Sequence, residues 1–189
     1  GTSIFNAIGS AGSDNMFHWT SSDLVDGVSL SASYNPSNGT TDVESSTSFA
    51  IEYTGVEGLT LGYAIGEENA EGGTNNNDND TYYIKYAYGP VTVGYQESER
   101  DNTKATNDDE FEAMGITYQV SDDLTIGYNE SSYNDGNTTT DQENSNISAT
   151  YTMGSMTLAV AIAEEKNRGG DTNTSNDVKG YAVDLAFAF

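Results

Sequence analysis

Every thirty-odd residues this chain returns to one short pattern. Val28-Ser-Leu-Ser-Ala-Ser-Tyr34 is followed by Leu59-Thr-Leu-Gly-Tyr63, Val91-Thr-Val-Gly-Tyr95, Leu124-Thr-Ile-Gly-Tyr128 and Met156-Thr-Leu-Ala-Val160, with starts 31, 32, 33 and 32 residues apart. Large apolar residues alternate with small or polar ones, the period-two signature of a strand with two unlike faces. Two tilted strands of about ten residues, one tight turn and one long loop give such a period. The tail Tyr181-Ala-Val183-Asp-Leu185-Ala-Phe187-Ala-Phe189 alternates in the same way and stops on an aromatic. That is the pattern of the closing strand of a transmembrane β-barrel. Its odd positions would face lipid, Ala182, Asp184, Ala186 and Ala188 a polar lumen, and Phe189 the periplasmic interface.

The connections alternate in kind. Short ones fall at 22–27, 54–58, Gly89-Pro90, 121–123 and Gly154-Ser155; long ones at 36–44, 66–79, 98–108, 133–142 and 167–176. Short turns on one side and long loops on the other describe an all-β, antiparallel, up-and-down barrel. Eleven strands are expected, over 15–21, 28–35, 45–53, 59–66, 80–88, 91–97, 110–120, 124–132, 143–153, 156–165 and 177–189. Pro36 and Pro90 both fall in connections, where no ladder hydrogen bond is lost. With the last strand running down to the periplasm, the short turns are periplasmic and the long loops extracellular.

Composition narrows the function. The 189 residues carry 30 acidic against 6 basic side chains, a formal charge of −24. Nucleic acid is excluded as a partner, because phosphate contacts need cations that are scarce here. The longest apolar run, Leu158 to Ala163, is too short for a transmembrane helix. Cysteine is absent. Most of the acids lie in the long loops and their flanks. Asp23, Asp26, Glu57, Asp122 and Asp123 fall in the short turns, which leaves Asp14, Glu52 and Asp184. A lipid-facing band is thereby kept nearly free of charge, as the cost of desolvating a carboxylate requires.

The outward rows read Thr47-Phe49-Ile51-Tyr53, Tyr82-Ile84-Tyr86-Tyr88, Met114-Ile116-Tyr118-Val120, Ile147-Ala149-Tyr151-Met153 and Met156-Leu158-Val160-Ile162. Tyr53, Tyr88, Tyr118 and Tyr151, with Trp19 and Phe189, are expected near the lower ends; Tyr34, Tyr63, Tyr95 and Tyr128 near the upper ends. Such rows form two interfacial aromatic girdles. The inward positions are small or neutral, with Glu52, Asp184 and Lys85 as the charged exceptions.

These features resemble the C-terminal part of Gram-negative general porins, especially the alphaproteobacterial type. The resemblance rests on the terminal Phe189, the hairpin repeats, and the stretch from Asn15 through Trp19 and Gly27 to Tyr34, which is similar to the porin segment after the inward-folded third loop. It departs from the family at the turn, where Trp19-Thr-Ser-Ser-Asp stands in place of an aromatic-x-Ser-Pro step. The resemblance implies that the eleven strands are the last of sixteen, and that 1–14, with Asp14, ends the constriction loop. A twelve-stranded alternative adds Thr2 to Ile8 as an ascending strand. It further implies a homotrimer in a lipid bilayer with lipopolysaccharide, inserted by the barrel assembly machinery through Phe189. The location the resemblance implies is the outer membrane of a Gram-negative bacterium.

Enzyme signals are poor: one histidine, His18, no cysteine, and no nucleophile or phosphate-loop motif. Asp14, His18, Glu52, Lys85 and Asp184 are expected to line a lumen. Glu52 and Asp184 beneath acidic mouths would concentrate cations, giving a weakly cation-selective diffusion channel for ions and small hydrophilic solutes. Asp78, Asp80, Asp108, Asp109 and Glu110 are candidates for loose Ca²⁺ or Mg²⁺ binding, since hard cations favour clustered oxygens. Two other readings stand beside the channel. One is a structural or adhesive barrel whose acidic loops hold divalent cations or a partner; the other is a soluble secreted acidic β-protein.

Overall fold

The computed structural model describes residues 16–36, 45–69, 76–102 and 108–188. Phe189, the segment 1–14 with Asp14, and the alternative strand at Thr2 to Ile8 lie outside the described residues. Eleven strands follow one another: β1 (Phe17–Val25), β2 (Val28–Asn35), β3 (Ser45–Tyr53), β4 (Leu59–Asn69), β5 (Asn77–Tyr88), β6 (Val91–Asn102), β7 (Asp109–Gln119), β8 (Leu124–Asn134), β9 (Gln142–Met153), β10 (Met156–Lys166) and β11 (Val178–Phe187). They form a single up-and-down sheet in chain order, each strand antiparallel to its neighbours. Among the described residues β1 and β11 are not paired with each other.

The strands expected over 28–35 and 45–53 have those bounds. From β4 to β10 the loop-side ends run further, most clearly in β4, β5 and β6, whereas β1 and β11 begin two and one residues later than expected. Glu, Asp and Asn have low strand propensity, so the sequence reading ended these strands where charge begins. The ladder overrides propensity. Gln96, Ser98 and Arg100 continue opposite Tyr83, Thr81 and Asn79 without a break in register. β1 differs at its other end. It continues to Val25 through an irregularity between Ser21 and Val25, so the turn shrinks to Asp26 and Gly27. Trp19, expected near the turns, therefore pairs with Ala32, one outward step from the Phe17–Tyr34 pair at the loop side.

The turn side is stitched by a repeating bond. The carbonyl of Gly27 accepts from Thr54 N–H at 2.7 Å. Gly58 accepts from Ala87, Pro90 from Gln119, Asp123 from Thr152 and Ser155 from Ala188, each at 2.8 Å. Each tight turn is thereby tied to the lower end of the following strand or to its turn, and its carbonyl is not left unpaired. At the loop side, two short 3₁₀ turns, Arg168–Gly170 and Thr174–Asn176, shape the β10–β11 connection. It is held to the start of β9 by Gly169 N–H donating to Gln142 Oε1 at 3.2 Å.

Burial is inverted relative to a soluble sandwich. Among the described residues the fully buried side chains are Gln96 and Ser98, with Ala113 beside them, whereas Phe49, Ile51, Tyr63, Ile84, Met114, Ile116, Ile147 and Ile162 are exposed. A row of large apolar residues on the outside of an up-and-down sheet is an expense that water would impose and lipid would not.

Glycine is required where the stitching is closest. Gly58 has φ +76°, and a Cβ there would lie 2.1 Å from the Ala87 carbonyl oxygen. Gly58→Ala is expected to lower stability by about 1–3 kcal/mol, read as a lower urea midpoint for the folded band in detergent. Gly180, with open space around it and no positive φ, should accept alanine within about 0.5 kcal/mol. Equal midpoints for the two variants would contradict the stitching account.

Candidate functional site

The register sorts every strand into two faces. On the apolar face, each of several strands carries three or four large residues and then switches abruptly to charge. β4 reads Leu59, Leu61, Tyr63, Ile65, then Glu67; β5, from its turn, reads Tyr88, Tyr86, Ile84, Tyr82, then Asp80. β6 switches at Glu97, β7 at Glu112, β8 at Glu130, β10 at Glu164 and β11 at Lys179. Eight residues at about 3.4 Å, tilted by about 40°, rise roughly 20 Å, close to the apolar band of a membrane barrel. Tyr53, Tyr88, Tyr118 and Tyr151 fall toward the turn side of this face and Tyr34, Tyr63, Tyr95 and Tyr128 toward the loop side. Trp19 belongs with the second group.

The opposite face is polar and built from small side chains. His18 lies opposite Ser33, Glu52 opposite Ser29 and Gly62, Lys85 opposite Thr60 and Gly94, and Asp184 opposite Ala159. The same face carries Glu68, Arg100 and Asp109, which lie beyond the expected strand ends, and Glu165, the last residue of an expected strand. Continued alternation through Gln96-Glu97-Ser98-Glu99-Arg100 was the signal that could have placed Arg100 here. Arg100 reaches Glu68 at 3.4 Å and Asp109 at 4.0 Å, which ties β4, β6 and β7 together near the loops. Lower on the face, Thr81 donates to Ser98 at 2.8 Å, and Gln96 donates to the same hydroxyl at 3.0 Å.

Glu52 has a different kind of partner. The hydroxyl of Tyr83 donates to its carboxylate, although β4 lies between the two strands. Gly62 makes this reach possible, because the tyrosine ring packs directly against it; a Cβ at Gly62 would come within 2.1 Å of a ring carbon. Lys85 forms no ion pair among the described residues.

The candidate metal ligands do not converge. Asp109 and Glu110 are consecutive strand residues and point to opposite faces, and Asp109 already meets Arg100. Asp78 and Asp80 share the apolar face's acidic margin, opposite Asp101 and Glu99. Among the described residues no group of three or more His, Cys, Asp or Glu side chains is placed to hold a metal ion.

A sheet with a lipid-compatible face between two aromatic rows and a water-compatible face behind it is the wall of an outer-membrane β-barrel. The family model described as Gram-negative porin matches residues 1–171. The chain belongs to the Gram-negative porin family, a family of outer-membrane channels rather than enzymes. By sequence, no curated protein matches it. Its fold is similar to the anion-selective porin from Comamonas acidovorans, with a TM-score of 0.75 at 12% identity over 92% of this chain and 59% of that one. Salmonella typhi OmpF, in its complex with daunomycin, gives 0.72 at 13% identity, covering 91% and 61%. OmpT, an outer membrane protein of Vibrio cholerae, gives 0.61 at 15% identity, covering 91% and 63%. The chain thus spans about three fifths of the length of these solved proteins.

The acidic margin predicts a pH dependence. Asp80 and Glu99 face each other above the apolar band, outside the membrane-spanning stretch. Burial, then the charges of Asp101 and Glu97, raise the Asp80 carboxyl above its ordinary range; burial, then Asp101 and Asp80, raise Glu99. A carboxyl raised on folding costs stability while ionised, and the cost disappears as pH falls through the raised folded value to the unfolded one. Asp80→Asn with Glu99→Gln should therefore stabilise the protein at pH 7, by about 0.5 kcal/mol after solvent screening. The gain should vanish near pH 3. A gain that does not change with pH would contradict the repulsion.

Proposed function

We propose that the protein forms a water-filled outer-membrane channel for passive diffusion of ions and small hydrophilic solutes, with a weak preference for cations. The observation that carries this reading is the contrast between the two faces of the same strands. A purely structural wall has no need of a second face lined with Ser, Thr, Gly, Ala and Asn, whereas a water-filled lumen does. Family membership supports the channel. The sign of its selectivity is argued from this chain's own residues, because the Comamonas acidovorans porin is anion-selective and has the same fold.

Among the described residues, the carboxylates Glu52, Glu68, Asp109, Glu165 and Asp184 on the polar face outnumber the cations Lys85 and Arg100. Arg100 is itself held between two acids. A low-dielectric wall of that sign raises the local cation concentration and repels anions. Each outer edge of β1 and β11 exposes backbone groups that lipid does not tolerate, so in the membrane those edges are paired. Assembly as a homotrimer and insertion by the barrel assembly machinery through Phe189 belong to this same reading. Loose Ca²⁺ or Mg²⁺ at the acidic margin, bridging to lipopolysaccharide phosphates, would relieve the opposition of Glu67 to Asp78 and of Asp80 to Glu99.

The test is single-channel recording of the native protein in a planar bilayer across a KCl gradient. Stepwise ohmic conductance with a cation-signed reversal potential is expected. Glu52→Gln combined with Asp184→Asn should lower the cation-over-anion permeability ratio by about twofold or more. Barrels that insert and pass no current would overturn the channel, and the acidic margin would become the leading functional surface.

A further inference from the structure

We infer that Tyr83 and Gly62 are positioning residues that set the ion preference of the wall by parking the Glu52 carboxylate away from Lys85. The inference rests on the channel reading above and names the device that tunes it. Three observations carry it. The Tyr83 hydroxyl donates to the Glu52 carboxylate across the intervening strand β4. Its ring occupies the space that a side chain at Gly62 would need. Lys85, two residues from Tyr83 along β5 and on the same face, pairs with no carboxylate among the described residues.

The choice of partner matters electrostatically. A carboxylate paired with an ammonium presents a dipole to passing ions, while one held by a phenol keeps its full negative charge. A tyrosine also holds it in one place: the ring has few rotamers and is pinned on the glycine, so the carboxylate does not sample the lumen freely. Without the Tyr83 hydroxyl the same acid would be free to turn toward Lys85. In this arrangement a neutral aromatic decides whether Glu52 and Lys85 act as two separate charges or as one cancelled pair.

The experiment uses the native protein in planar bilayers, with Tyr83→Phe, Gly62→Ala, Glu52→Gln and Lys85→Ala alone and in combination. Tyr83→Phe should reproduce roughly half or more of the fall in cation-over-anion permeability ratio caused by Glu52→Gln. Gly62→Ala should act in the same direction by displacing the ring, and Tyr83→Phe tests the claim should the alanine variant not fold. The effect of Tyr83→Phe should disappear in the Glu52→Gln background and in the Lys85→Ala background, which a merely structural role of the ring would not produce. A Tyr83→Phe ratio equal to wild type while Glu52→Gln lowers it, or an undiminished effect without Glu52, would overturn the inference. Failure of the channel reading is distinguishable, because then the unmutated protein passes no current. In that case the infrared carboxylate stretch that Glu52→Gln removes decides. It should shift in Tyr83→Phe, and an unshifted band would overturn the positioning role.

Discussion

The hydrogen-bond ladder is the constraint from which the rest follows. A strand in hydrocarbon has no water for its N–H and C=O groups, so every one must be met by a neighbouring strand. The eleven strands meet this demand in the simplest way, each paired with the next in the chain. The tight turns extend the same economy, their carbonyls accepting from N–H groups of the following hairpin. Once the ladder is fixed, strand geometry assigns alternate residues to opposite faces, and one sequence must suit two solvents. The apolar rows ending at Glu67, Asp80, Glu97, Glu112 and Glu130 are the record of one solvent. The serines, threonines and glycines between them are the record of the other.

This is why so much of the fold was legible. Alternation survives in the sequence because lipid selects one face and water the other, and the repeating Leu-Thr-Leu-Gly-Tyr pattern marks where each ascending strand leaves its turn. What was not legible lies where the lipid contrast ends. Above the apolar band both faces are polar, so Glu97, Ser98, Glu99 and Arg100 carry no hydrophobic period even though they remain in the ladder. The misjudged placement of Trp19 has another cause. Two extra residues between Ser21 and Val25 are absorbed by a local irregularity, and no composition signal in Thr-Ser-Ser-Asp-Leu announces it.

The polar face was legible in character and not in its contacts. Period-two alternation places Glu52, Lys85 and Asp184 on one side without saying which of them touch. The Glu52–Tyr83 bond spans two strand spacings, and such a reach is visible only when the residue between is known to be glycine and known to be in register. The candidate metal ligands lie apart for the converse reason. Asp109 and Glu110 are adjacent in sequence, which suggests a cluster, but adjacency within a strand sends neighbours to opposite faces.

A common fold with unlike ion preferences requires that selectivity be written in substituents and not in architecture. The Comamonas acidovorans protein shares the sheet and is anion-selective. In this chain the wall's sign depends on how many of its charges are left uncompensated. Arg100 is tied to Glu68 and Asp109, so the loop-side end of the wall is partly neutralised by contact. Deeper on the face, Glu52 is held by a neutral phenol and keeps its charge. The two arrangements differ in what they leave for a passing ion: the first a single net negative charge shared by three side chains near the mouth, the second a separate carboxylate deeper in the wall, with Lys85, unpaired among the described residues, on the same face. Solvent and salt screen the charges nearest the mouth within about a Debye length, so the deeper separate charges, Glu52 and Lys85, weigh more on a passing ion than their number suggests.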